Sequence, residues 1–171
     1  MDRSGAVPNG FAVVRVDQVH NASWNDSYMQ QVKQVLSSHG QELGSSPCPT
    51  VLTKSVAAQL VANANQDPLS PNVEALLFHG TSQASVTGIA SSRFDRDRCK
   101  FGLAGRGFYF AESITKADEY TRASSGLCCV VVCRVLLGRV KVCADMVLNR
   151  DQRQGLEDSV CKEGAYDSVM M

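Results

Sequence analysis

The sequence has no surplus of either charge: seventeen lysines and arginines face seventeen aspartates and glutamates. Without a net positive field there is no counterion-release drive toward nucleic acid and no attraction to an anionic membrane surface. Any partner is chosen locally. Long apolar runs are missing too, since the longest, around Leu127 to Val132, is far short of the roughly 20 residues a membrane helix needs. The opening MDRSGAVPNG has neither the basic start nor the apolar stretch of a secretory signal, so cytoplasm or nucleus is the expected location. Paired metal ligands are missing as well: His20, His39 and His79 lie far from one another and no CxxC occurs, so no metal is expected. A GxxxxGK[ST] phosphate loop is absent, as are internal repeats and low-complexity tracts.

What is present is one domain's worth of foldable chain. With 171 residues, 44% hydrophobic and 20% charged, the sequence lies close to the globular average. Residues 1–171 are therefore read as a single domain. Its cysteines, Cys48, Cys99, Cys128, Cys129, Cys133, Cys143 and Cys161, are odd in number, and no export signal accompanies them. They read as reduced, with Cys128, Cys129 and Cys133 as small core hydrophobes in LCCVVVCRV.

Residues 11–19, FAVVRVDQV, alternate Val14 and Val16 with Arg15 and Asp17 and predict a first strand with one wet face. From Ala22 on, Trp24, Tyr28 and Val32 recur every fourth residue, followed by Val35 and Leu36. This spacing predicts an amphipathic helix with Ser23 and Asp26 as a capping box and Gly40 as its stop. Residues 44–49 are a loop by composition, residues 50–65 a second helix, and residues 67–71 a break. The apolar run 75–78 predicts a buried strand that delivers His79, Gly80 and Thr81 at its end. A short helix carrying Val86 and Ile89 follows, then the polar loop RFDRDRCK and the glycine block GLAGRGFYF. Residues 108–110 look like a strand and 112–122 like a helix. Residues 127–142 are the most strand-like stretch, with a hairpin near Gly138, and the remainder is weakly patterned. The class expected is α+β with a largely antiparallel sheet.

The glycines Gly102, Gly105 and Gly107 do not make a dinucleotide-binding turn, because their order is GxxGxG and an aromatic stretch, not a helix, follows. Taken singly, His79 reads as a structural histidine, Tyr109 as sheet core and Tyr120 as a helix-face aromatic; Trp24 and Tyr28 read as core in any case. What packing alone does not require is the ordered set RVDQVHNASWNDSY, LLFHGT, GRGFYFAESITKADEY, VVVCRVLLG and YDSV. In these blocks the sequence resembles the catalytic domain of the poly(ADP-ribose) polymerases, in the diphtheria-toxin-like branch of the ADP-ribosyltransferases. Arg15, Val16, Val19, Asn21, Trp24 and Tyr28 match the family's first block, and the likeness extends from Phe11 to Met171.

The resemblance implies a split, mostly antiparallel sheet flanked by short helices, and NAD as substrate. It implies His79 on the adenosine-side ribose, the Gly80 backbone on the nicotinamide carboxamide, and Tyr120 and Tyr109 stacking on and flanking the nicotinamide ring. Thr81 and Gly107 would line the same cleft. Lys116 and Arg106 could screen the diphosphate, although a solvated role suits either equally well. His79 and Tyr109 are the expected catalytic residues, and protein side chains the expected acceptors. Two departures stand out. Ala117 occupies the place of a common serine that bonds the nicotinamide amide, so NAD binding should be weaker by about one neutral hydrogen bond. The family's closing strands, which carry the third polar residue, a glutamate in polymerising members, have no counterpart here, and neither Glu157 nor Glu163 matches it. The chain thus reads as a domain truncated at its C-terminus, with an unpaired sheet edge that invites association. Single or repeated transfer, and an active enzyme or an inactive NAD-binding or interaction module, all stay open at this stage.

Overall fold

A helix whose apolar residues recur every fourth position must lay that stripe on something. In the computed structural model, which describes residues 10–43, 73–121, 126–145 and 147–171, helix α1 (Ala22–Leu43) lays it on the start of strand β1 (Glu74–Thr81). Val32 and Val73 are almost fully buried against each other, with Tyr28, Val35 and Leu136 packed around them. The helix begins one cap earlier than the Ser23 and Asp26 pattern suggests. Asn21 Oδ1 accepts from the Trp24 backbone N–H at 3.2 Å and from the Ser23 hydroxyl at 2.9 Å. Gly40 does not stop the helix, which continues through it to Leu43. Trp24 is only half-buried and lies beneath the Arg93 guanidinium, 5.1 Å from its ring centroid.

Strand β1 runs antiparallel to β4 (Cys129–Leu136), in a register from Glu74 opposite Leu136 to Thr81 opposite Cys129. His79, Gly80 and Thr81 are the last three residues of the strand, at the end where the sequence places them. Alternation puts Ala75, Leu77 and His79 on one face, where Phe110, Val135 and Leu137 pack against the first two. Glu74, Leu76, Phe78 and Gly80 share the other. Helix α2 (Gln83–Ser92) follows, then a 3-10 turn at Arg96–Arg98 and the tight hairpin of β2 (Phe101–Gly102) with β3 (Gly105–Arg106). Helix α3 (Ile114–Asp118) is shorter than the sequence suggests, capped by Ser113. Residues 108–110 form no strand; a single bridge joins Ala111 to Phe78.

The segment after Gly138 is not a hairpin. Strand β5 (Val140–Val142) leaves β4 and pairs in parallel with β6 (Ser168–Met170). Gly138, at φ 59°, turns the chain there, and Arg139 N–H donates to Asp167 Oδ2 at 2.8 Å, tying the turn to β6. Between β5 and β6 lies a helix, α4 (Arg150–Cys161), in a region with little pattern. The predicted strand 11–19 is also absent. Val13, Val14 and Val16 are 78%, 73% and 82% exposed, because no strand among the described residues is there to accept its backbone groups. Of the three cysteines expected in the core none is fully buried: Cys133 is half-buried, burial pushing its thiol up to about 12, Cys129 is half-buried and donates to Gln83 Oε1 at 2.6 Å, and Cys128 is exposed. The helix expected at 50–65, the loop 44–49 and the break 67–71 lie outside the described residues. The fold is α+β, its larger sheet antiparallel.

Glu74 enters this core as a carboxylate whose side chain is wholly inaccessible. Arg134 meets it with Nε at 2.6 Å and Nη2 at 3.1 Å, the Tyr28 hydroxyl donates at 2.8 Å, and the guanidinium stacks over the Tyr28 ring at 5.5 Å. Burial works against the Arg134 charge, but the Glu74 carboxylate outweighs it and holds the guanidinium above its ordinary range. Burial raises the Tyr28 phenol strongly, and the neighbouring carboxylate raises it further. Replacing Arg134 by Leu takes the counter-charge from the buried carboxylate and should cost about 3–5 kcal/mol in chemical denaturation, most of it recovered in a Glu74→Leu, Arg134→Leu double variant. The raised Tyr28 pKa also has a pH signature. The folded state keeps the phenol neutral, so its contribution is intact below the unfolded value of 10.0 and falls away as pH rises past it. Thermal melts should steepen their decline above pH 10, and less so in Tyr28→Phe.

Candidate active site

His79 is fixed by its surroundings before any ligand arrives. Its Nδ1 lies 2.8 Å from the Tyr109 carbonyl, and since a carbonyl only accepts, Nδ1 carries the hydrogen and Nε2 is the nitrogen left for a ligand. Phe94 meets the imidazole edge-on at 5.1 Å and Phe110 lies at 5.7 Å, while Phe94 also packs on Phe108 and Phe110. Rings in such contact resist rotation.

Gly80 is fixed by the strand itself. Phe78 directs both of its backbone groups to Ala111, at 2.8 Å each way. Backbone groups alternate sides along a strand, so Gly80, two residues on, presents its N–H and C=O on that same edge. Tyr109 stands next in register, its carbonyl accepting from the His79 ring, and the described residues close no hydrogen bond on Gly80 from this side. An open donor and acceptor from one residue result. On its other side Gly80 abuts helix α3 so closely that an added Cβ would overlap the Ala117 carbonyl oxygen. Only glycine fits there.

Tyr109 ties the site together. Its hydroxyl accepts from Ala104 N–H at 2.9 Å and donates to the Gly105 carbonyl at 2.6 Å, and its ring covers Gly102, where a Cβ would come within 2.7 Å. Burial pushes its phenol up, with Glu157 and Tyr120 adding smaller upward effects against the Ala104 bond and Arg153. Tyr120 is thus within electrostatic reach of Tyr109. It follows the last turn of α3, is 55% exposed, and has the Lys116 ammonium 5.9 Å from its ring centroid. Lys116 also pairs with Glu119 at 2.6 Å. Thr81 is half-buried opposite Cys129. Around Gly107 a Cβ would meet nothing within 4 Å, so open space lies beside it.

Helix α4 supplies what the motifs did not. Glu157 Oε2 accepts from Arg106 N–H at 2.8 Å, and Gly105, at φ 88°, is pressed so close that a Cβ would lie 2.6 Å from Glu157 Cβ. Asn149 and Gln152 form a full capping box at the helix start, a four-residue signal that could have located it. Glu157 thereby holds the hairpin that Tyr109 grips, and Tyr109 orients His79. Among the described residues no cluster of His, Cys, Asp or Glu could hold a metal ion.

Gly105→Ala should cost more than the roughly 1 kcal/mol of a tolerated glycine replacement, because φ and space both oppose it. Glu157→Ala should lower thermal stability by less, with Glu157→Gln close to the parent, since an amide oxygen still accepts from Arg106. Melting curves of the three variants test the order.

None of the curated proteins compared with the chain matches it. The family model of the poly(ADP-ribose) polymerase catalytic domain matches residues 3–169. An imidazole held on a strand, an open glycine edge beside it and a glycine hairpin closed by tyrosine thus stand within a match that spans nearly the whole chain, and the chain belongs to the poly(ADP-ribose) polymerase catalytic domain family.

Proposed function

We propose that this chain transfers ADP-ribose from NAD to protein side chains and releases nicotinamide. The observation that supports this most is the Gly80 edge beside the fixed His79. A primary carboxamide carries both an acceptor and donors, and a single residue offering N–H and C=O in one direction is its complement. Tyr120, with its ring exposed near Tyr109, suits a planar leaving group. In this reading His79 Nε2 bonds the adenosine-side ribose, Gly80 grips the carboxamide, Tyr109 and Tyr120 frame the ring, and Thr81 and Gly107 line the cleft. Residues 1–171 act as one domain.

In the reaction the bond from the ribose C1′ to the nicotinamide nitrogen breaks, and its electron pair leaves with nicotinamide, which becomes neutral. Positive charge builds on the ribose, as in glycoside cleavage. A nucleophilic atom of the acceptor side chain then bonds C1′ and gives up its proton to solvent. A rigid His79 and a preset Gly80 edge contribute by orientation, since groups already in place need no reordering as charge develops. Nucleic acid is not an expected partner on charge, and no described helix is long and apolar enough to cross a membrane. A second reading, an inactive NAD-binding or interaction module, draws on Glu157: the carboxylate nearest the glycine hairpin bonds Arg106 backbone.

Incubation with tagged NAD should label the chain or an added protein acceptor, and His79→Ala should abolish the label. Undiminished labelling by that variant would remove His79 from the site. Binding of a non-hydrolysable NAD analogue without any labelling supports the second reading. Gly107→Ala should melt like the parent, because its Cβ meets open space, yet bind the analogue at least about tenfold more weakly through intrusion into the cleft.

A further inference from the structure

Residues 11–19 leave a valine-rich segment uncovered, and its own sequence says what fits it. We propose that residues 13–19 pair with the same residues of a second copy of this chain, antiparallel across a two-fold axis centred on Val16. Val13, Val14, Val16 and Val19 are all more than half exposed, and no strand among the described residues pairs with them. In a two-fold antiparallel pair centred on Val16, Arg15 stands opposite the second copy's residue 17, an aspartate, and Asp17 opposite its residue 15, an arginine. Val13 faces Val19, and Val16 faces itself.

Neighbouring registers lose this match. Centring on Arg15 or Asp17 sets like charges against each other, and a centre between residues sets each charge against an uncharged side chain. Of these registers only the one centred on Val16 satisfies both charges twice; it also sets Val13 opposite Val19 and Val14 opposite Gln18. Arg15 and Asp17 already meet within one chain, Nε to Oδ1 at 2.9 Å, with 78% and 67% of their side-chain surfaces exposed. In an extended pairing residues two apart share one face, so both would meet the second copy together. The segment's backbone groups, which no strand among the described residues pairs, would enter an inter-chain ladder.

Light scattering on the purified chain over a dilution series should give twice the single-chain mass at high concentration and the single mass on dilution. Arg15→Asp and Asp17→Arg should each be monomeric, since either sets like charges opposite one another at two places. Mixing the two single variants should restore the dimer, because each copy then supplies what the other lacks. The Arg15→Asp, Asp17→Arg double variant should dimerise alone, and Val16→Lys should not. Far-ultraviolet circular dichroism matching that of the diluted, monomeric parent shows that each variant is folded. A parent that is monomeric at every concentration, single variants that dimerise like the parent, or a mixture that stays monomeric would overturn the proposal, including the case where a foreign strand covers the segment.

Discussion

A carboxylate with no access to water sits at the start of the main strand, and most of the described architecture is arranged to make that tolerable. Glu74 alone would be prohibitively costly to bury. It is retained because Arg134 from β4 and Tyr28 from α1 converge on it, so a single charge brings together three elements that are remote in sequence. An ion pair of this kind adds less net stability than its distances suggest, since desolvation offsets the attraction. Its larger effect is on specificity. A slip of β1 by one residue against β4 would take Glu74 to the other face and leave Arg134 without its acceptor, so the network selects one register among several with similar apolar contacts.

That register determines the site. With Glu74 on the face turned to α1, alternation sends His79 to the opposite face, into the ring cluster of Phe94, Phe108 and Phe110, and brings Gly80 back to the side where Ala117 abuts it. The same parity points the Gly80 backbone groups along the edge where Phe78 meets Ala111. Beyond that bridge the edge stays open among the described residues, and Tyr109, next in register, accepts from the His79 ring at its carbonyl. That hydrogen bond orients the imidazole.

Features that depend on neighbours in the chain were legible in the sequence; those that depend on distant partners were not. The stripe from Trp24 to Val35 foretold α1, the run at 75–78 foretold β1, and LCCVVVCRV foretold β4. His79, Gly80 and Tyr109 stood out through their motifs. The pairing of Glu74 with Tyr28 and Arg134, 46 and 60 residues away, has no local trace. Residues 11–19 have a strand's alternation without a strand's partner, and pattern alone does not supply one. Strands β2 and β3, two residues each, are shorter than any periodicity can register. Helix α4 holds together through its capping box and the buried Leu156 and Ser159, in a composition too polar to announce a helix. The three glycines of the block look equivalent in sequence, yet Gly102 is required by the Tyr109 ring and Gly105 by its φ and by α4. Gly107 is constrained by neither, since a Cβ there would meet open space.

The site is consequently supported from two directions that the chain order does not suggest. From β1 comes the imidazole, placed by strand parity and by the buried Glu74. From α4 comes Glu157, which holds Arg106 N–H and backs Gly105, whose carbonyl receives the Tyr109 hydroxyl. Tyr109 joins the two supports, with its hydroxyl on the hairpin and its carbonyl on His79. A residue bonded at both ends transmits displacement better than one bonded at either alone, because neither end can rotate away to absorb it. The orientation of His79 is for this reason a property of the hairpin and of α4 as much as of the strand that carries it, and a change far downstream in sequence reaches the imidazole through hydrogen bonds and close contacts alone.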